Sequence, residues 1–95
     1  MTNFYGHDLP TIEQVDEQAN PQAIAHLSNG AWDWYVLGGK ELENGDFYLF
    51  GLVNGIEKEL GFFTLNQIRE VGAIIDEDFK PIGVFDIYDD FDLRL

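Results

Sequence analysis

Two Asn-Gly pairs set the first constraint on this chain. Asn44-Gly45 and Asn54-Gly55 bracket the run Phe47-Tyr48-Leu49-Phe50-Gly51-Leu52-Val53. Both residues of such a pair tolerate positive φ, which the type I′ turn between antiparallel strands requires. The spacing predicts three strands in succession, joined by tight turns. The middle run is apolar at nearly every position, the pattern of a central strand covered on both faces. Before it, Trp32, Trp34 and Val36 alternate with Asp33 and Tyr35, and Gly38-Gly39 is expected to end that strand. After it, Ile56, Lys58 and Leu60 alternate with Glu57, Glu59 and Gly61 before Phe62-Phe63.

Helices are expected around these strands. Thr11 with Gln14, and Thr64 with Gln67, have the spacing of a capping box. Leu65, Ile68 and Val71 would form one apolar stripe, with Gly72 as the stop. Asn20-Pro21 reads as the N-cap and first residue of another helix, with Ile24 and Leu27 on its apolar face and Ser28-Asn29-Gly30 ending it. Residues 1–10 read as an arm or a short extended piece. Ala73-Ile74-Ile75 is expected to return to the core, and a last strand is expected over residues 83–88, carrying Val84, Phe85, Ile87 and Tyr88. The fold class is therefore α+β: a small antiparallel sheet, a three-stranded meander plus a C-terminal strand, packed with short helices. The 95 residues, 45% hydrophobic, suffice for one core, so 1–95 reads as a single acidic domain.

Charge narrows the function classes. Eighteen Asp and Glu face five Lys and Arg, a net charge of −13 at pH 7. Such a chain repels nucleic-acid backbones and anionic membranes and attracts basic protein surfaces and cations. Direct nucleic-acid binding and membrane binding are therefore not expected; a basic protein surface, such as that of a nucleic-acid-binding effector, is. The absence of cysteine excludes disulfides, thiolate catalysis and Cys-ligated zinc, and fits a cytoplasmic protein. The first eight residues, Met1 to Asp8, lack the basic and apolar regions of a signal peptide.

No residue set makes a catalytic cluster or a cofactor motif. Glu57 and Glu59 share a strand face, and with Asp46 or Asp76-Glu77-Asp78 they offer oxygen ligands to a divalent cation, the basis of a metal-dependent enzyme alternative. Against it, an EF-hand loop starting at Asp76 would need Gly where Pro81 stands. His7 and His26 read as surface or helix-end histidines. Trp32 and Trp34 read as core or as an aromatic anchor for a partner.

Trp32-Asp33-Trp34-Tyr35 and the stretch from Phe50 to Leu65, Phe-Gly-Leu-Val-Asn-Gly-Ile-Glu-Lys-Glu-Leu-Gly-Phe-Phe-Thr-Leu, resemble a family of short proteins of unknown function from bacteria, plasmids and phages. The resemblance spans residues 30–81. Ile75-Asp76-Glu77-Asp78 stands where the family has Ile-Glu-Arg-Asp, so Glu77 replaces a basic residue. It implies a mobile-element context and a shared scaffold, and carries over no activity.

The 17 residues from Asp76 to Asp92 hold seven of the 18 acids and one base, Lys80. The expected partner-binding residues are Asp76, Glu77, Asp78, Asp86, Asp89, Asp90 and Asp92, with Trp34 and Tyr88 as aromatic anchors. Spaced carboxylates can imitate a phosphate backbone to a basic groove. The expected function is a non-enzymatic inhibitor that binds a host defence nuclease, such as a CRISPR effector, as a nucleic-acid mimic. The alternative is an accessory interaction domain that binds through an aromatic face or as a homodimer.

Overall fold

The computed structural model describes residues 2–87. The chain is α+β, with small antiparallel sheets and a few short helices. Strands β1 (Asn3–Phe4) and β2 (His7–Asp8) form a first hairpin, followed by helix α1 (Ile12–Asp16) and the short strand β3 (Gln22–Ala23). Next come β4 (Ala25–Ser28), β5 (Asp33–Glu41), β6 (Phe47–Asn54), β7 (Lys58–Thr64), α2 (Leu65–Glu70), β8 (Ile74–Ile75) and β9 (Ile82–Gly83). The main sheet has five strands in the order β7-β6-β5-β4-β8, every neighbouring pair antiparallel. A separate bridge joins β3 to β9.

Side chains alternate across this sheet and build two cores. One face carries Trp34, Val36, Leu49 and Phe63 beneath Leu65 and Ile68 of α2 and Phe4 of the N-terminal hairpin. The other carries Tyr35, Leu37, Phe50 and Leu52 against Val15 of α1 and Val84 and Ile87. These are the α2 face and the α1 face. Thus β6 does contribute to both cores, but Tyr48 on its α1 face is exposed, so cover on that side is incomplete.

Both Thr-led helices start as their spacing predicts. The Thr11 and Thr64 hydroxyls accept from Gln14 N and Gln67 N, and each Gln side chain returns a bond to the cap backbone. Helix α2 ends in a Schellman arrangement, with Gly72 N donating to Arg69 O and Ala73 N to Ile68 O. The apolar stripe is one residue shorter than expected, because Val71 is the C-cap and is exposed.

Several expectations are corrected. The segment after Asn20-Pro21 is strand, not helix. Ala25 and Leu27 are buried while His26 and Ser28 are only partly so, a period of two that the Ile24/Leu27 spacing concealed. Asn20 does cap a helical turn, but a distant one: its Oδ1 accepts from Phe85 N at 3.0 Å. The expected last strand is confined to Ile82–Gly83, and residues 84–87 are helical, with Val84 and Ile87 inward. Gly38-Gly39 does not end β5. A bulge at Leu37 shifts the register between Val36 and Gly38, and the strand runs on to Glu41. A Cβ at Gly38 would lie 2.6 Å from Val15 Cγ2 and 2.7 Å from Pro10 O, so this glycine is what lets the α1 segment lie on the strand.

Neither Asn-Gly pair makes the two-residue type I′ turn. At the first, Gly45 N donates to Leu42 O and Leu42 N to Asp46 O, with positive φ at Gly45 (86°) but not at Asn44. That is a three-residue loop with glycine in the left-handed position. At the second, Asn54 pairs with Lys58, so Ile56 belongs to the turn and not to β7.

Candidate functional site

The sequence-expected acids lie on two segments held in different ways. Asp76 follows β8, and its backbone N donates to His26 O, which seats the loop against β4. The His26 ring, on β4, sits between two carboxylates from other segments: Nε2 lies 2.7 Å from Asp33 Oδ1 on β5, and Nδ1 lies 3.0 Å from Asp76 Oδ2. The ring stacks on Tyr35 at 4.5 Å with an 11° interplanar angle, and Phe79 packs at its other side at 5.7 Å. A neutral imidazole donates from one nitrogen only, whereas an ionised carboxylate only accepts. With both carboxylates ionised, the doubly protonated ring alone satisfies both contacts. The His26 hydrogen bond holds the Asp76 carboxyl below its ordinary 3.8, helped by the Asp78 N–H donating to Asp76 Oδ1. Sequence reading placed His26 at a helix end; the strand assignment it missed is what pairs His26 with Tyr35.

This clasp presents Glu77 and Asp78 outward, both exposed, with Asp76 half-buried at their root. Beside them a cavity of about 260 Å³ opens between Tyr5, His7, Ile24, Ile75, Glu77 and Phe79. Asp86 is exposed on the 84–87 turn, where Asn20 Nδ2 donates to its Oδ2 at 3.4 Å. Tyr88, Asp89, Asp90 and Asp92 lie outside the described residues. Trp34 does not serve as an exposed anchor: it is 5% exposed and part of the α2-face core. The exposed tryptophan is Trp32, stacked on Trp34 at 6.1 Å.

The proposed metal set is not brought together. Asp46 is buried at the Phe47 end of β6, where its Oδ1 accepts from Phe47 N (2.7 Å) and Asn66 N (3.0 Å). Glu57 and Glu59 lie at the Asn54 end, roughly 23 Å away along an extended strand. Among the described residues no group of three or more His, Asp or Glu is placed to hold a metal ion.

A second surface was not singled out from the sequence. Among the described residues strand β7 is the outer strand of the main sheet, with β6 as its one partner strand. On its α1 face Leu60 and Phe62 are exposed, and Phe62 stacks on exposed Tyr48 at 5.4 Å and packs on Phe50 at 4.9 Å. On its α2 face a groove of about 290 Å³ is lined by Trp32, Val53, Ile56, Glu57 and Glu59. The Trp32 ring lies over Gly55, where a Cβ would meet it at 2.4 Å. The signal available in the sequence was the Leu60/Phe62 alternation on a strand also carrying Glu57 and Glu59.

Among the described residues no helix is long and apolar enough to cross a membrane. Compared with family models, curated proteins and solved structures, the chain matches none.

Proposed function

We propose that this chain is a non-enzymatic protein-binding domain whose acidic surface engages a basic surface of its partner. The observation that carries the reading is the acid excess together with its display. Fifteen of the 18 acids fall within residues 2–87 (all but Asp89, Asp90 and Asp92), against four of the five bases (all but Arg94). Four cations cannot neutralise fifteen carboxylates, so the folded domain carries a strong negative field. Glu77 and Asp78 project from a loop that the His26 clasp fixes in place, so they meet a partner with little ordering to be done on binding.

A partner with a basic groove for nucleic acid fits this field best, a host defence nuclease among such partners, and the domain would then act as an inhibitor by occupying that groove. The test is competition. A labelled DNA duplex bound to a basic nuclease should be displaced by the domain, and less so as salt rises through the physiological range. Displacement that is equally strong in high salt counts against an electrostatic mimic. Glu77→Gln with Asp78→Asn and Asp86→Asn should weaken displacement more than Glu41→Gln with Glu43→Gln; equal losses would show that location on the surface does not matter.

The second reading, an interaction domain that binds through an aromatic face, is favoured by a specific observation. The exposed Tyr48/Phe62/Leu60 strip is apolar, continuous with a core and on a strand that has no second partner strand among the described residues.

A further inference from the structure

The β7 edge joins three features that have separate causes: an outer side with no partner strand among the described residues, an apolar strip on one face, and a tryptophan-carboxylate groove on the other. We infer that β7 is a strand-addition site for a partner segment that is extended and alternates apolar with basic residues. This rests on the reading that the domain binds basic protein surfaces, and names where and in what conformation one such partner is held.

The geometry gives the alternation. A strand added to β7 puts successive side chains on opposite faces of the sheet. On the α1 face they meet Leu60 and Phe62, which are 48% and 54% exposed and already backed by Tyr48 and Phe50. Apolar side chains fit there. On the α2 face they meet the groove between Trp32, Glu57 and Glu59. An aromatic face beside two carboxylates is the environment of a Lys or Arg side chain, held by cation–π contact and by ion pairing. Val53 and Glu59 are cross-strand partners, so the groove begins one strand in from the edge and is within reach of an added strand.

Charge selects this occupant over a second copy. Each chain carries −13, and Glu59 on β7 with Glu57 in the turn before it outnumber Lys58 between them, so two copies meeting here bring net like charge together. The opposite edge is not equivalent. It is formed by β8, only two residues long, and Asp76 beyond it continues the bonding to β4. Short edges are one way sheets avoid adventitious pairing, and β7, seven residues long with apolar side chains and no second partner strand among the described residues, departs from that practice.

The test uses the whole chain and synthetic probes. The first probe is a ten-residue peptide of alternating lysine and valine; the second has the same composition with the valines in one block and the lysines in another. Polylysine is the third. Binding is read by tryptophan fluorescence and by amide hydrogen exchange along β7. The alternating peptide should bind about tenfold more tightly than the block peptide, a difference of about 1.4 kcal/mol, and should slow exchange along β7. Glu57→Gln with Glu59→Gln, both exposed positions, should weaken it by about tenfold. Leu60→Glu with Phe62→Glu should abolish it, with the fold checked by circular dichroism. Equal binding of the two short peptides, or unchanged exchange along β7, overturns the inference. Slowed exchange along β7 without peptide, with dimers in sedimentation, also overturns it and makes a second copy the occupant. If polylysine binds while β7 stays unprotected by the alternating peptide, strand addition fails and the acidic-surface reading stands. If no probe binds, both fail.

Discussion

The two edges of the main sheet solve opposite problems. The β8 edge is short: two residues long, with Asp76 beyond it continuing the bonding to β4, where its carboxylate meets His26. The β7 edge is seven residues long, has no second partner strand among the described residues and carries exposed Leu60 and Phe62. Burial is strong one strand inward from the open edge and weak on it. Leu52 and Leu60 are cross-strand partners on the same face, yet Leu52 is fully buried and Leu60 is 48% exposed. The contrast teaches that β7 is held by its ladder to β6 and by Phe63 and α2 behind it, leaving its α1-face side chains available for other contacts.

The sharpest way to break this comparison is to cut the same side chain on both strands. Leu52→Ala should cost about 2–5 kcal/mol, the lost transfer energy plus the cavity left behind. Leu60→Ala should change stability by no more than about 0.5 kcal/mol, as for surface positions away from special features. Urea unfolding measures both. A Leu60 cost approaching that of Leu52 would mean that β7's outer face is part of the core and not a surface held open.

The short edge is tested next. His26→Phe keeps a ring that can stack on Tyr35 but removes both hydrogen bonds to carboxylates, and should cost about 1–3 kcal/mol at neutral pH. The pH dependence has a definite sign. Asp76 is held below 3.8 in the folded state, so its contribution is complete above that value and is lost as pH falls through the lower folded value. In wild type, stability should drop on acidification below about pH 4, and part of that drop should vanish in His26→Phe. Identical acid profiles for the two proteins would show that Asp76 draws no stability from the clasp.

This contrast also explains what was legible in the sequence. The helix starts at Thr11 and Thr64 were legible because a capping box is local: two side chains and two backbone groups within four residues. The apolar run at Phe47–Val53 was legible as a strand because its residues feed both cores, although exposed Tyr48 shows that its α1 face is not fully covered. Beta-strand β4 was not, since four residues are too few to distinguish a period of two from one of 3.6, and its pairing with β5 and β8 is not a local property. Asn20 shows the same limit: it has the chemistry of a cap, but the segment it caps lies 65 residues away. The acidic segment at Asp76 to Asp78 could be read as charge, whereas the histidine that fixes it comes from 50 residues earlier. Trp34 on β5 and Trp32 just before it are two residues apart, and nothing in their spacing says that the first is covered and the second is not: Trp34 packs in the α2-face core, while Trp32 lies over the turn at Gly55.

That turn supports the smallest of the expected effects. Gly55 has no side chain, and the Trp32 ring occupies the space where one would be, with ring carbons at 2.4, 2.5 and 2.6 Å from an ideal Cβ. Gly55→Ala must therefore push the ring outward. Trp32 is already 39% exposed, so the ring can move toward water without opening the core, and the stability cost should stay near 1 kcal/mol. The consequence for the groove is larger than for the fold. Trp32 forms one wall of it and Glu57 and Glu59 the other, so displacing the ring separates the aromatic surface from the carboxylates that would share a cation. Tryptophan emission should shift to longer wavelength, and the affinity for an alternating lysine-valine peptide should fall while the acid profile of unfolding stays that of wild type. A variant that kept the emission and the affinity of wild type would show that the ring's place over Gly55 has no part in shaping the open edge, and the asymmetry between the two edges would then rest on strand length alone.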